Sequence, residues 1–164
     1  MRILGVDPGS RVTGYGLIEA EKRKPQALSW GVLRPPQGNP LPKRLAFLYA
    51  ELERLILTLS PEVLALEEVI PERFPRAALS LGQAQGVVLL LAARHGLPVY
   101  TYHPSVVKRI LTGNGRAGKE EVAFMVQVEL GLEGPLPRDA SDALALALTH
   151  FYGEMRCWPR SVGA

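Results

Sequence analysis

Four carboxylates stand where chemistry is easily built. Asp7 follows the apolar run Ile3-Leu4-Gly5-Val6, Glu67 follows Val63-Leu64-Ala65-Leu66, and Asp139 and Asp142 open a long apolar segment of helical pattern. An acid that ends a buried strand is held at the rim of a core, and two acids three apart on a helix share one face. Strand ends and a helix N-terminus can meet in one crevice of an α/β domain, the place where such folds put ligands. Four acids gathered without compensation would repel, raise one another's pKa and destabilise the chain, so they need a cation. Lys and Arg are one answer. Magnesium or manganese is the better one, because hard oxygen donors suit these ions. Two such ions about 4 Å apart activate water and stabilise the leaving oxygen of a phosphodiester. Taken singly, the acids have plainer readings: Asp139 as a helix N-cap, Asp142 as a first-turn acid favoured by the macrodipole, Asp7 as a turn former before Pro8-Gly9. Glu67 resists such a reading. Glu68 alternates to the opposite face and reads as solvated or paired.

The elements that must position these acids follow from periodicity. Residues 3–6 form strand one, which stops at the turn-forming Asp7-Pro8-Gly9-Ser10. Residues 14–18 and 27–33 read as two further strands joined by the charged turn 21–24, an antiparallel meander, and a Pro/Gly-rich loop spans 35–42. Leu45, Leu48, Leu52, Leu55, Ile56 and Leu59 recur at helical spacing and predict an amphipathic helix covering a sheet. Residues 63–66 lack alternation and predict a central strand buried on both faces. A helix over 76–95, a short strand over 99–101 and three helices near 104–111, 119–130 and 138–152 complete the order. That order predicts one α/β domain over residues 1–152 with a mixed central sheet flanked by helices, and a loose tail over 153–164.

Composition narrows the classes. The 164 residues are 47% hydrophobic and 21% charged, a mixture that fits one globular domain large enough to bury about two thirds of its unfolded surface. Cys157 is the single cysteine, so no internal disulfide forms, and a reducing, cytoplasmic setting is expected. Residues 1–20 lack a signal-peptide pattern, and the longest apolar stretch, 87–93, is far short of the roughly 20 residues a bilayer needs, so no membrane partner is expected. A net charge of +3 and a pI near 9.2 permit a polyanionic partner without demanding one.

The stretches 7–16 (DPGSRVTGYG), 65–69 (ALEEV), 81–86 (LGQAQG) and 139–145 (DASDALA) together resemble the RuvC family of bacterial Holliday-junction resolvases, in the same order and spacing. The likeness extends from Arg2 to about His150. It implies an RNase H-like fold, a homodimer, a branch-migration helicase complex as partner, and divalent-metal-dependent cleavage of two opposing strands in four-way junction DNA. The family's four acidic positions fall on Asp7, Glu67, Asp139 and Asp142, and two lysines implicated in DNA contact fall on Lys108 and Lys119. Many relatives carry an aromatic wedge three places after the glutamate. Here that position is Ile70, with Phe74 four further on, so either an aliphatic wedge or Phe74 takes the stacking role, against ordinary packing for Phe74. Some relatives place a histidine at the third acidic position; Asp139 makes all four ligands here oxygen donors.

On that reading Asp7 bridges two ions, Glu67 and Asp142 complete their shells, and Asp139 helps hold the ion that orients the attacking water. Arg73, Arg76, Lys108, Arg116 and Lys119 position phosphates, so binding falls steeply with salt. The stretch 113–119 (GNGRAGK) matches the first seven places of a phosphate-binding P-loop, but Glu120 replaces the required Ser or Thr, and a helix precedes it instead of a strand. It serves instead as a solvated loop or as a DNA-phosphate holder at the next helix start. Gly82 and Gly86 permit a close backbone approach on the second long helix, which packing against the sheet explains and which the family uses for dimer contact. His95, His103 and His150 read as cap, surface or core-edge residues, and Trp30 and Trp158 as packing groups. Two other functions compete: a module of the same fold that binds branched DNA without cutting it, and an actin-like ATP-binding domain, for which a chain of this length lacks the second lobe.

Overall fold

The computed structural model describes residues 1–21, 24–69 and 75–155. Five strands, β1 (Arg2–Asp7), β2 (Thr13–Glu21), β3 (Lys24–Leu33), β4 (Val63–Glu67) and β5 (Val99–Tyr102), lie in the order β3-β2-β1-β4-β5. The meander β1-β2-β3 is antiparallel, and β4 and β5 add parallel strands, so the sheet is mixed as its sequence predicts. β1, not β4, is the middle strand. The apolar run of β4 marks a strand with neighbours and helices on both sides, a condition that an inner strand meets without being the central one.

Both faces of the sheet are covered. On one side α1 (Leu41–Leu59) and α2 (Pro75–Arg94) bury Leu52, Ile56, Val88 and Leu91 against Leu4, Val6, Leu17, Leu64 and Leu66. On the other, α3 (Pro104–Thr112), α4 (Lys119–Leu130) and α5 (Arg138–Met155) enclose Ile3, Ile18, Val63 and Ala65. α1 starts four residues before the apolar periodicity does, because Pro42 occupies the first turn, where its missing N–H costs nothing. α5 runs three residues past the expected domain limit at 152, and 156–164 fall outside the described residues. No helix among the described residues is long and apolar enough to cross a membrane.

α5 sits unusually deep on the sheet, and three glycines are the cause. A Cβ on Gly5 would fall inside the carbonyl of Ala143, one on Gly14 inside the carbonyl of Asp139, and one on Gly16 2.6 Å from the Leu144 side chain. The helix backbone therefore rests directly on β1 and β2.

Candidate active site

The parallel register Val6 to Leu66 makes Asp7 and Glu67 the next residues of adjacent strands, at the same end of the sheet. Side chains alternate along a strand, so Asp7 shares the face of Gly5, and Glu67 that of Ala65. Both faces are the α5 side. Gly14 pairs with Asp7 across the β1-β2 ladder and lies under Asp139, which sets the start of α5 beside the strand end. Asp142, one turn on, then faces the same crevice. Three elements far apart in sequence thus deliver acids to one place.

The crevice is a cleft of about 120 Å³ lined by Asp7, Glu67, Asp142, Lys108 and Lys119, floored by apolar groups such as Val122 and Leu146. Asp139 does not line it, but its charge acts on Asp7 from the rim. Lys119 reaches Asp142 at 3.5 Å (Nζ to Oδ2). The Asp7 carboxyl is pushed up to about 7, first by burial and then by Asp142, Glu67 and Asp139, with Lys119 opposing. Glu67 is raised for the same reasons, burial and then Asp142, against the positive charges of Lys119, His103 and Lys108. The lysines thus compensate the acids only in part.

The donor chemistry fits a hard divalent cation: oxygen ligands alone, unneutralised negative charge, and a cleft open to phosphate. Among the described residues no three acidic, histidine or cysteine side chains already stand as a closed ligand set. Lys119 instead supplies the cation next to Asp142.

The remaining expected site residues divide cleanly. Lys108 on α3 and Lys119 at the start of α4 line the cleft. Arg116 stands exposed on the α3–α4 loop and does not line it. Arg76 belongs to the first turn of α2, its side chain outside the described set, and Ile70, Arg73 and Phe74 lie outside the described residues. Asp139 is not an N-cap; it is the second residue of α5, a first-turn acid. Gly82 and Gly86 do not pack on the sheet: a Cβ on either meets nothing within 4 Å, and Ala84, Val88, Leu91 and Ala92 make the buried face instead.

The cap reading of His103 holds, but its place beside Glu67 and the loop-closing role of Thr13 escape sequence reading. His103 caps α3 by accepting from the Ser105 N–H at 3.2 Å, and in doing so stands by Glu67. Thr13 closes the 8–12 loop: its Oγ1 accepts from the Gly9 N–H at 3.2 Å and donates to the Gly9 carbonyl at 2.8 Å. The spacing Thr13 to Gly9 is a signal that a turn search could have caught. His150, by contrast, is buried and hydrogen-bonded by Nδ1 to the Tyr102 hydroxyl at 2.7 Å, a core residue.

Comparison with known proteins points the same way. A family model described as "Crossover junction endodeoxyribonuclease RuvC" matches residues 3–150. The crossover junction endodeoxyribonuclease RuvC of Moorella thermoacetica is 48% identical over 151 residues, covering 92% of this chain and 90% of that one. Its counterpart from Alkalilimnicola ehrlichii is 44% identical over 164 residues, with 99% of each chain covered. A solved structure of Thermus thermophilus RuvC in complex with Holliday junction substrate superposes with a TM-score of 0.87 at 38% identity, covering 95% of this chain and 96% of that one. With its strand-end and helix-start acids in one cleft, and with such similarity over nearly its whole length, this chain belongs to the RuvC family of crossover junction endodeoxyribonucleases.

Proposed function

We propose that this protein is a divalent-metal-dependent endonuclease that resolves four-way DNA junctions during recombination and repair. The observation that carries the reading is the cleft itself, where β1, β4 and α5 bring Asp7, Glu67 and Asp142 together beside Lys108 and Lys119. Asp7, Glu67 and Asp142 hold magnesium or manganese, two ions per site, with Asp139 assisting from the rim. Ions held by these carboxylates would supply Lewis acidity for activating water and for offsetting charge on the departing oxygen. Lys119 and Lys108 place the scissile phosphate against the acids and offset its charge while it binds. Hydrolysis adds water across the P–O3′ bond, leaving a 3′-hydroxyl and a 5′-phosphate. Arg73, Arg76 and Arg116 contact flanking phosphates, and Ile70 or Phe74 enters the crossover.

A homodimer supplies two such sites to opposing strands. Support for it lies on α2, where Leu79, Leu89 and Leu90 are exposed alongside the unpacked Gly82 and Gly86. Partnership with a branch-migration helicase rests on family membership, and action in the cytoplasm on the need to reach bacterial DNA.

The test is a synthetic four-way junction incubated with magnesium or manganese and the wild type, Asp7→Asn, Glu67→Gln, Asp139→Asn or Asp142→Asn. Wild type should nick opposing strands, and each variant should lose at least about a hundredfold in rate while still binding the junction. Binding without cleavage by the wild type would leave only a branched-DNA-binding module.

A further inference from the structure

Away from the acidic cleft, a second concavity of about 620 Å³ lies between the 8–12 loop and the start of α1, lined by Arg11, Arg44 and the turn 35–39. No carboxylate lines it. Its surroundings in sequence are equally one-sided: no Asp or Glu occurs between Glu21 and Glu51, while Arg34, Lys43 and Arg44 do. Two arginines elsewhere do find acids, Arg2 with Glu19 at 3.0 Å and Arg54 with Glu51 at 2.9 Å. Among the described residues Arg11 and Arg44 have no such ion pair, and the buried Nε of Arg44 lacks any hydrogen-bond partner. A buried donor without a partner is costly, and a guanidinium with an unmet donor at the wall of a cavity suits an oxyanion such as phosphate, two of whose oxygens its planar fork can span. The adjoining α1 start adds to this, because Pro40 gives its free N–H groups no side-chain cap.

We propose that Arg11 and Arg44 grip a backbone phosphate of the junction at a second point, outside the scissile position. The proposal rests on the junction-cleaving reading above. What links the two sites is one short loop: Asp7 stands at its start and Arg11 four residues on. The loop is tied to itself by Thr13 and to α2 by the 3.0 Å contact between the Ser10 and Ser80 hydroxyls. A phosphate held by Arg11 therefore fixes the register of the duplex relative to Asp7, the work that backbone contacts perform in nucleic-acid recognition.

The experiment is fluorescence anisotropy of a labelled four-way junction, in EDTA so that nothing is cut, over a salt series. Wild type, Arg11→Gln, Arg44→Gln, Arg44→Lys and the double glutamine variant are compared, with thermal melts to establish folding. Each single glutamine variant should weaken binding several-fold, and the double about tenfold or more, with the log–log salt slope falling by about 0.9 for each phosphate no longer neutralised. Arg44→Lys should keep the slope and lose part of the affinity, because it retains charge without the planar fork. Folded variants with wild-type affinity and slope would overturn the proposal. So would a stabilising shift by inorganic phosphate that requires both arginines while junction binding does not, which would make the concavity a free-anion site. If Arg44→Gln fails to fold, the exposed Arg11→Gln decides alone. Failure of the wild type to bind a junction is a separate result and removes the parent reading as well.

Discussion

Asp7 carries a conflict that a bound cation would relieve. It ends the middle strand half-buried, and Asp142, Glu67 and Asp139 crowd it with negative charge. Its pKa rises from 3.8 to about 7, so between those values the folded chain keeps a proton that the unfolded chain has released. Metal-free stability should therefore fall as pH climbs through that window. Asp7→Asn removes the buried charge, and urea melts should find the metal-free variant more stable than wild type by about 2–4 kcal/mol at pH 8. That difference should vanish once pH drops below the unfolded carboxylate's pKa. Added magnesium should stabilise the wild type and leave the variant unmoved. For the same reason, nicking should rise with pH through about 7 as protons cease to compete for Asp7. Equal stability of the two proteins at pH 8 would contradict this account. At this scale the sequence was highly legible, because an acid at the end of an apolar run is visible without a structure. The supporting role of His103 was not, since it depends on where β5 and α3 place a capping residue relative to a different strand.

At the scale of elements, the decisive contact is α5 on the glycine track of β1 and β2. Gly14 is the key position, lying under the Asp139 carbonyl and beside Asp7 in the ladder. Gly14→Ala should push α5 outward, cost about 3 kcal/mol in urea denaturation, and depress nicking even in the folded fraction by parting the acids. A variant with normal stability and normal rate would show that the helix seat is not what sets the site. The strand assignments to Gly14 and Gly16 came directly from the sequence, but their purpose did not. A glycine in a strand pattern signals close approach without naming the partner, and the partner is more than a hundred residues away. α2 shows the converse problem. Its apolar residues nearly encircle the helix, so periodicity alone left open which side met the sheet, and Gly82 and Gly86 turn out to face away. β4 was recognised as buried, whereas its place beside β1 instead of at the centre required knowing the strand order.

For the whole molecule, charge is sorted in space. The acids gather at one end of the sheet with Lys108 and Lys119, and the Arg11–Arg44 concavity lies at the far side of the loop that follows Asp7. A net charge of +3 is thus the residue of local excesses that a polyanion with bound cations can match at both places. In the proposed homodimer the unpacked α2 face would supply the symmetry. Replacing exposed Leu89 and Leu90 with lysine should shift the mass found by light scattering from two chains to one, and make singly nicked junctions accumulate where the wild type cuts opposing strands together. A persistent dimer in that variant would place the interface elsewhere. The likeness to the RuvC family was legible across nearly the full chain because its motifs are local strings, while everything that depends on one surface meeting another waited for the fold.

Anomalous diffraction from crystals soaked in manganese tests the central claim most directly. The account predicts density bounded by the carboxylates of Asp7, Glu67 and Asp142, lost in Asp7→Asn. Manganese bound away from that cleft, or retained there unchanged without the Asp7 carboxylate, would contradict it.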